Sequence, residues 1–372
     1  MTVTFFSSVL NHHQISFCEA MCASPDVDFT FVQMIDLTDE RRAQGFNSYE
    51  KPYVVYAKAE PERARRLCIE SDVVIAGVIE QSWVNERAAL GKLTFVYRER
   101  FLKNAKSIFS PAFWKNGYLN YFRFRNKELY FLCASAYTAR DTAAIFPRKE
   151  KKFKWGYFPI INKYDNADGI IDCKIPKTIL WVGRFLDWKH PERAIELARR
   201  LSLSDIEFRL SFIGLGEMQD EMGRLIREYS LEDKVKILGQ MPPDKVKEKM
   251  RESEIFLFTS DRKEGWGAVL NEAMSEGCAC VAANDAGSTG FLIDDGVNGY
   301  SFDSVDEDKL FERVKLLLAD DGLRKNIQKK AIETINREWC AEVATWRLLD
   351  FCRRKLCGDP SPNYLTGPMS LS

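Results

Sequence analysis

Residues 255–282 read IFLFTSDRKEGWGAVLNEAMSEGCACVA, and this stretch decides the fold. It opens with an apolar run, Ile255–Phe258, and closes with a second, Cys278–Ala282. Between them, Ala268–Glu276 carries apolar residues at helical spacing. Short apolar runs that alternate with amphipathic helices are typical of parallel sheets covered by helices. The stretch therefore predicts a strand, a turn, a helix and a further parallel strand.

Two glutamates mark this turn as a candidate ligand site. Glu264 precedes the predicted helix at the carboxyl end of a strand, where α/β sheets bind ligands. Glu272 lies further along the helix, where its carboxylate would accept hydrogen bonds from ribose hydroxyls. The glycines would allow close approach of a ligand, and the first N–H groups of the helix would bind phosphate. An ordinary strand–turn–helix junction remains the alternative. The candidate ligand-binding residues between the glutamates are Gly265, Trp266, Gly267, Ala268 and Val269.

A basic loop follows another predicted strand, Thr178–Val182. It reads VGRFLDWKHP over residues 182–191, and Pro191 suits the first position of a helix. Arg184 and Lys189 would bind a diphosphate, the first through its planar fork and the second as a point charge. A solvated basic loop is the alternative.

A glycine pair follows a third strand, in FIGLGE at residues 212–217. Gly214 and Gly216 suggest a dinucleotide fingerprint, but Gln219 stands where its third glycine would be. Taken alone, this motif is weak.

Strands and helices alternate twice along the chain, which predicts an α/β protein of two Rossmann-like domains that face each other across a cleft. The predicted strands are 3–7, 29–34, 53–57, 73–78, 93–97, 129–134, 178–182, 209–213, 235–238, 255–258, 278–282 and 299–302. The predicted organisation is an N-terminal Rossmann-like domain (1–160), a linker (161–177), a second Rossmann-like domain (178–338), a helix returning to the N-terminal domain (339–357) and a disordered tail (358–372).

Composition narrows the class of protein. The 372 residues carry 54 Lys+Arg and 54 Asp+Glu, which argues against a general nucleic-acid binder. No apolar run is long enough for a transmembrane helix, and the first residues resemble no secretory signal, so we expect a cytoplasmic protein. With 3 histidines and no cluster of metal-ligand spacing, no metal site is expected.

The balanced charge conceals a basic segment. Residues 98–154 contain 14 Lys+Arg and 4 Asp+Glu, and aromatic residues are interleaved among them. Such a segment would contact a membrane surface through anionic head groups and interfacial rings. The alternative is an ordinary protein surface around buried aromatic rings. Binding to nucleic acid is the least favoured interpretation of this segment.

Together and in this order, the motifs of residues 176–338 resemble the family-4 retaining glycosyltransferases of the GT-B fold. The resemblance extends to VKILGQM at 235–241 and DDGVNGYSFD at 294–303. It implies a nucleotide-sugar donor held mainly by the C-terminal domain, without a metal or other cofactor. The resemblance also implies that the first domain lies on the acceptor side and that the second binds the nucleotide sugar. By this resemblance Arg184 and Lys189 neutralise the diphosphate, Glu264 contacts the donor sugar, Glu272 contacts the ribose, Gly214 lies in the donor site, and Gly239, Gln240 and Met241 contact the base.

The first half resembles bacterial capsule and O-antigen sugar transferases. The resemblance rests on NHHQ (11–14), YRERFLK (97–103), CASAYTARD (133–141) and KWGYFP (154–159). NHHQ replaces the glycine pair that relatives carry after their first strand. Loops after first strands face the site in such sheets, so His13 or His12 would contact the donor or the acceptor, and His13 is the candidate catalytic residue. Relatives also place a histidine deeper in this domain, and Glu99 is a candidate replacement for it. A surface charge at the end of a strand is the alternative for Glu99. Gly290 stands where relatives commonly have a glutamate.

The function that the resemblance implies is retaining transfer of a sugar from a nucleotide diphosphate to an acceptor hydroxyl, in the synthesis of bacterial surface polysaccharide or glycolipid. The acceptor would be a carbohydrate or a lipid-linked carbohydrate, and the protein would be cytoplasmic or peripheral on the inner face of the membrane. A sugar-nucleotide 2-epimerase and a degenerate sugar-nucleotide-binding protein remain alternatives.

Overall fold

The computed structural model describes residues 1–37, 49–103, 105–164 and 167–372. They form two compact units, the first made of Met1–Ile160 with Trp339–Ser372 and the second of Ile161–Glu338. Parts of three predicted segments lie outside the described residues: positions 38–48 of the N-terminal domain, position 104 of the basic segment and positions 165–166 of the linker.

The strands of the first unit are β1 (Thr2–Ser7), β2 (Asp28–Gln33), β3 (Val54–Tyr56), β4 (Val73–Ala76), β5 (Thr94–Arg98), β6 (Leu129–Cys133) and β7 (Lys152–Lys154). Those of the second unit are β8 (Ile175–Val182), β9 (Arg209–Ile213), β10 (Val235–Ile237), β11 (Ser253–Phe258), β12 (Ala279–Ala283) and β13 (Tyr300–Phe302).

The α-helices are α1 (Ile15–Cys22), α2 (Pro61–Glu70), α3 (Gln81–Ala89), α4 (Pro111–Asn120), α5 (Thr138–Asp141), α6 (Ala167–Asp172), α7 (Pro191–Leu203), α8 (Gln219–Glu228), α9 (Pro243–Glu252), α10 (Val269–Ser275), α11 (Thr289–Leu292), α12 (Glu307–Ala319), α13 (Asp321–Arg337) and α14 (Ala341–Cys357). Among these described helices none is long and apolar enough to cross a bilayer.

In the first unit all seven strands of the described sheet are parallel, in the order β3-β2-β1-β4-β5-β6-β7. Every residue of β4 and β6 is buried, because helices cover both faces of such a sheet. The strand order reverses between β1 and β4, and loops after the strands at such a switch point form a crevice where α/β sheets bind ligands.

The C-terminal segment belongs to the first unit. Phe351 of α14 packs against the rings of Tyr130 and Phe153, with centroids 5.2 and 5.1 Å apart. Beyond α14 the chain runs beside β7, where Lys154 N donates to Ser370 O at 2.8 Å. Met369 is only 2% exposed. The order of these last residues contradicts the disordered tail predicted over 358–372, because edge-strand pairing and burial of an apolar side chain outweigh the Pro/Gly/Ser-rich composition.

The basic segment also differs from the surface predicted over 98–154. β7 is a strand missed by the sequence pattern, and Lys152 within it is 1% exposed, its Nζ donating to Ala139 O at 2.9 Å. Arg100 is 7% exposed and lies 4.1 Å above the ring of Tyr137. These cations of the segment are therefore buried in the first unit. A carbonyl oxygen and an aromatic face provide the contacts that water would otherwise make with them.

In the second unit the described strands are again all parallel, in the order β10-β9-β8-β11-β12-β13. The switch point lies between β8 and β11. The described residues of the predicted linker, 161–164 and 167–177, fold with this unit, because Asn162 Nδ2 and Tyr164 Oη donate to the buried carboxylate of Glu276 at 2.7 and 2.5 Å.

Candidate functional site

The loops after β8 and β11 are tied together at the switch point of the second unit. Thr259 Oγ1 lies 2.7 Å from Lys189 O and 3.0 Å from His190 O. Asp261 N donates to Trp188 O at 2.8 Å. These bonds run between two loops distant in sequence, so the backbone that carries the predicted diphosphate ligands is fixed against the backbone that carries Glu264.

Lys189 and Glu264 form an ion pair in this arrangement. Lys189 Nζ lies 2.6 Å from Glu264 Oε2, and their side chains are 13% and 12% exposed. Ser260 Oγ donates to the same carboxylate oxygen at 3.2 Å. An ammonium has three donors, so its bond to Glu264 leaves others that can bind an anion. The pair thus combines a carboxylate suited to sugar hydroxyls with a cation suited to phosphate.

Arg184 lies in the same loop as Lys189 and is exposed. Its neighbour Phe185 is fully buried, and Phe185 N donates to Leu215 O at 2.9 Å. The aromatic anchor holds the loop down beside an outward-facing guanidinium. Arg184 is therefore available to a ligand at the carboxyl edge of the sheet.

The predicted glycine Gly214 serves close packing of three loops. Its φ is +141°, and a Cβ there would lie 1.9 Å from Gly183 O. Gly214 N donates to Gly239 O at 2.9 Å, which ties the loop after β9 to the loop after β10. The predicted base contacts follow at once, with Gln240 exposed and Met241 half-buried.

The turn between the two glutamates is folded as the glycines require. Gly267 has a φ of +88°, and a Cβ there would lie 2.2 Å from the ring of Phe258. Gly265 is buried, Ala268 caps the amino end of α10, and Val269 begins it. Ala268 and Val269 thus lie at the amino end of α10, where the sequence predicts phosphate binding.

Trp266 does not fit the donor contact predicted for it. Its side chain is 0% exposed, and its Nε1 donates to Asn271 Oδ1 at 2.8 Å. A large apolar ring follows the hydrophobic effect into the core, and its N–H finds a partner there. Its role is to anchor the turn from beneath, so the predicted contact with the donor is wrong for this side chain.

Glu272 lies on α10. Burial raises its pKa to about 7, with Lys247 lowering the pKa and Glu276 raising it to smaller extents. Its carboxyl group therefore changes charge near neutral pH.

A cavity of about 520 Å³ lies at the switch point of the first unit. The loop after β1 contributes His13, the loop after β4 contributes Gly77, and Tyr97 and Glu99 come from β5 and its end. The structure thus brings the two candidates of the first half, His13 and Glu99, to one site. Glu99 is not a solitary charge at a strand end.

Tyr157 connects these two candidates, and sequence reasoning missed it. Its Oη donates to Glu99 Oε1 at 2.6 Å, while its ring stacks on that of His13 with centroids 5.7 Å apart. Lys103 Nζ lies 2.9 Å from Glu99 Oε2. The KWGYFP motif, which contains Tyr157, was the only sequence signal for this contact. Because β7 was not predicted, the motif that follows it could not be assigned to the cavity.

His13 is an uncharged group in this cavity. Burial and, to a smaller extent, His12 lower its pKa to about 3, so the imidazole is neutral at neutral pH. Asn11 Oδ1 accepts from His13 N at 3.0 Å, and Gln14 Nε2 donates to Ser7 Oγ at 2.8 Å. Asn11 and Gln14, at the two ends of NHHQ, stabilise the turn through these hydrogen bonds. The imidazole of His13 lines the cavity, where it can contact a ligand.

Residues 173–334 match the family model described as glycosyl transferases group 1. Among curated proteins, the chain is 34% identical over 156 residues to N-acetylgalactosamine-N,N'-diacetylbacillosaminyl-diphospho-undecaprenol 4-alpha-N-acetylgalactosaminyltransferase of Campylobacter jejuni, which covers 42% of this chain and 41% of the relative. It is 32% identical over 130 residues to the amylovoran biosynthesis glycosyltransferase AmsK of Erwinia amylovora, which covers 34% of this chain and 32% of the relative. The chain therefore matches well under half of the length of these relatives.

Solved structures resemble the chain over nearly its whole length. HepE of Anabaena, in complex with UDP, has a TM-score of 0.66 at 16% identity and covers 96% of this chain and 100% of its own. A glycosyltransferase of Rickettsia africae has a TM-score of 0.62 at 15% identity and covers 95% of this chain and 98% of its own. The fold of two parallel-sheet α/β units is thus the GT-B fold, which confirms the predicted fold class.

Proposed function

We propose that this chain, in which residues 173–334 form a group 1 glycosyl transferase domain, transfers a sugar from a nucleotide-diphosphate donor to an acceptor hydroxyl. The anomeric configuration would be retained. The observation that carries the proposal is the Lys189–Glu264 pair at the switch point of the second unit, 2.6 Å between Nζ and Oε2. In this pair Lys189 can bind an anion, and Glu264 can accept hydrogen bonds from sugar hydroxyls. The pair lies at the edge of the sheet where α/β proteins bind nucleotides.

In the proposed reaction the bond from the anomeric carbon to the diphosphate oxygen breaks. A bond from that carbon to the acceptor oxygen forms on the same face. The acceptor proton passes to an oxygen of the leaving phosphate, so the products are the glycoside and the nucleoside diphosphate. Arg184 and Lys189 stabilise the charge that develops on the leaving group, an electrostatic contribution that a divalent ion supplies in other enzymes. We accordingly propose that neither a metal nor a cofactor takes part, and that EDTA leaves the rate unchanged.

The cavity of the first unit is the proposed site for the acceptor and the transferred sugar. Glu99 is an ionisable acceptor of hydroxyl hydrogen bonds, held by Tyr157 at 2.6 Å and Lys103 at 2.9 Å. The neutral imidazole of His13 can donate from one nitrogen and accept at the other. Both groups suit hydroxyl-rich ligands. The likeness to enzymes named for polysaccharide and lipid-linked saccharide synthesis supports a product of bacterial surface polysaccharide or glycolipid.

Two variants test the assignment of the donor site. Arg184→Ala and Glu264→Ala should each lower the transfer rate by about 10²–10³, because each removes a contact to charge or hydroxyls at the transition state. A matched control is Lys263→Ala, whose side chain lies in the same loop, is 53% exposed and pairs with Asp187. Transfer at the wild-type rate by both site variants, with folding intact, would refute the site.

The donor is found by thermal shift of the whole chain against UDP-, GDP-, ADP- and CMP-sugars, since a ligand far above its Kd stabilises by a few kcal/mol. Incubation of the best donor without acceptor then separates the alternatives. Release of a 2-epimer would identify an epimerase. Binding with no turnover across a panel of acceptors would identify a protein that only binds sugar nucleotides.

A further inference from the structure

A group of apolar side chains stands in water on one side of the first unit. Phe109 is 84% exposed, Tyr118 57% and Trp114 46%, and Ile108 and Leu119 beside them are 36% and 37% exposed. These five residues are here called the aromatic patch. They lie within 12 positions of the chain, from the short 3₁₀ turn Ala105–Phe109 to α4. Contiguous exposed apolar side chains of this kind mark a surface that binds something.

The fold holds the aromatic patch outward. Helix α4 approaches the body of the unit at Gly117, where a Cβ would lie 2.3 Å from Ile145 Cγ2. Trp114 and Tyr118 are four positions apart and so share one side of the helix. Trp114 Nε1 donates to Ile108 O at 2.8 Å, which links the helix to the 3₁₀ turn. The aromatic patch is therefore ordered before any partner arrives.

The sequence that contains the aromatic patch is basic. Residues 98–127 contain eight Lys+Arg, at 98, 100, 103, 106, 115, 123, 125 and 127, against the single acid Glu99, although Arg100 is buried. Lys106 and Lys115 lie within the stretch that holds the patch and are exposed. By contrast, Lys152 is buried and serves the interior. The surface thus combines interfacial rings with lysines, which complements a layer of anionic head groups above an apolar core.

We propose that the aromatic patch docks this protein on the surface of a bilayer containing anionic phospholipid. Phe109 and Trp114 enter the head-group region, and Lys106 and Lys115 lie against lipid phosphates. Trp and Tyr favour this depth of the bilayer because their rings are apolar while their N–H and O–H groups bind water. The inference adds a binding surface to the proposed function and does not depend on the transfer reaction.

The test is co-sedimentation of the full chain with phosphatidylcholine vesicles, with and without phosphatidylglycerol. The wild type should bind the anionic vesicles and lose binding as salt rises. Phe109→Ser with Trp114→Ser should weaken partitioning about tenfold or more. Lys106→Gln with Lys115→Gln should weaken it about thirtyfold, from about 1 kcal/mol for each lysine. The matched control is Leu203→Ser with Val305→Ser, which removes apolar side chains 74% and 84% exposed in the second unit.

Three results would overturn the proposal: no binding of the wild type to anionic vesicles, equal binding by the patch variants, or equal loss in the control. Binding to natural membranes that protease treatment abolishes, without binding to pure lipid, would identify a protein partner instead. Circular dichroism establishes that the variants fold. Transfer to a water-soluble acceptor is measured in parallel and should be unchanged in the patch variants, so a failure of the proposed reaction and a failure of membrane docking are distinguished.

Discussion

At the scale of single residues, the ion pair of Lys189 and Glu264 assigns different tasks to two adjacent charges. The distance of 2.6 Å and side-chain exposures near one eighth mean that each charge is stabilised by the other in a partly dry environment. Removing the cation should weaken binding of any diphosphate. Removing the charge of Glu264 should not weaken diphosphate binding, because the substitution makes the potential close to the phosphates less negative.

This difference gives a prediction that does not require the acceptor. With UDP, Lys189→Met should raise the Kd, whereas Glu264→Gln should leave it unchanged or lower it. With the intact sugar nucleotide, both should lower the transfer rate by about 10²–10³. Calorimetric titration measures the first quantity and product release the second. If Glu264→Gln weakened UDP as much as Lys189→Met does, the carboxylate would serve the nucleotide and not the sugar.

The raised pKa of Glu272 leads to a prediction of how donor binding depends on pH. Burial raises its pKa to about 7 from 4.5, so the carboxylate that would accept ribose hydroxyls predominates only above neutrality. UDP affinity should therefore rise from about pH 6 to about pH 8 more steeply in the wild type than in Glu272→Gln, which also corrects for titration of the nucleotide itself. Parallel profiles would remove Glu272 from the donor site.

The same shift has a consequence for folding. The unfolded chain releases the proton of Glu272 near pH 4.5 and the folded chain near pH 7. Between these values the folded state binds more protons, so its stability falls as pH rises. The wild type should accordingly lose stability relative to Glu272→Gln across that window, which urea unfolding at a series of pH values measures.

At the scale of elements, Lys174 holds the ends of two helices together. Its Nζ lies 3.2, 3.2, 2.7 and 3.0 Å from Met250 O, Arg251 O, Ser253 O and Glu276 O, which share the three hydrogens of the ammonium. The final carbonyls of a helix lack partners within it and carry partial negative charge. One ammonium therefore satisfies the carboxyl ends of α9 and α10, although burial lowers the pKa of Lys174.

Loss of this contact should destabilise the second unit. Lys174→Met keeps the length of the side chain but removes a charged donor from these carbonyls. Met250 O keeps Ser253 N and Cys278 Sγ as donors, and the loss at the remaining carbonyls should cost about 3 kcal/mol. Lys325→Met is the control, since its side chain is 53% exposed and pairs with Asp172, and we expect it to change stability by under about 1 kcal/mol. Equal free energies of unfolding for the two variants would contradict the role of Lys174.

The elements also mark where sequence patterns succeed. The long apolar strands and amphipathic helices, such as β11 and α7, were predictable because burial on both sheet faces and helical spacing leave clear signals. β7 was not, because KFK is charged and its burial depends on the carbonyl that Lys152 reaches. The placement of Arg184, Lys189 and Glu264 in loops after strands was predictable, and their role in a donor site stays a prediction. The Tyr157 contact, in contrast, needs the fold of the whole first unit.

At the scale of the whole molecule, the chain crosses from the first unit to the second and back again, so its last residues complete the unit in which it began. They cover β7, an edge strand with unpaired backbone groups that would otherwise invite aggregation. Met369 N donates to Lys154 O at 2.9 Å and Ser372 N donates to Lys152 O at 3.0 Å. The charged, basic sequence of β7 is a second protection of the same edge.

Removal of residues 366–372 should therefore weaken the first unit alone. The deletion breaks three backbone hydrogen bonds to Lys152 and Lys154 and exposes the site of Met369, which together contribute about 4 kcal/mol. Calorimetry should show one of two thermal transitions moving to lower temperature, with faster aggregation at the exposed edge. Leu365→Ser is the control, because that side chain is 88% exposed and the variant keeps every bond to β7. A deletion variant that melts like the control would mean that β7 is stabilised by its pairing with β6 alone, and that the last residues merely rest on it.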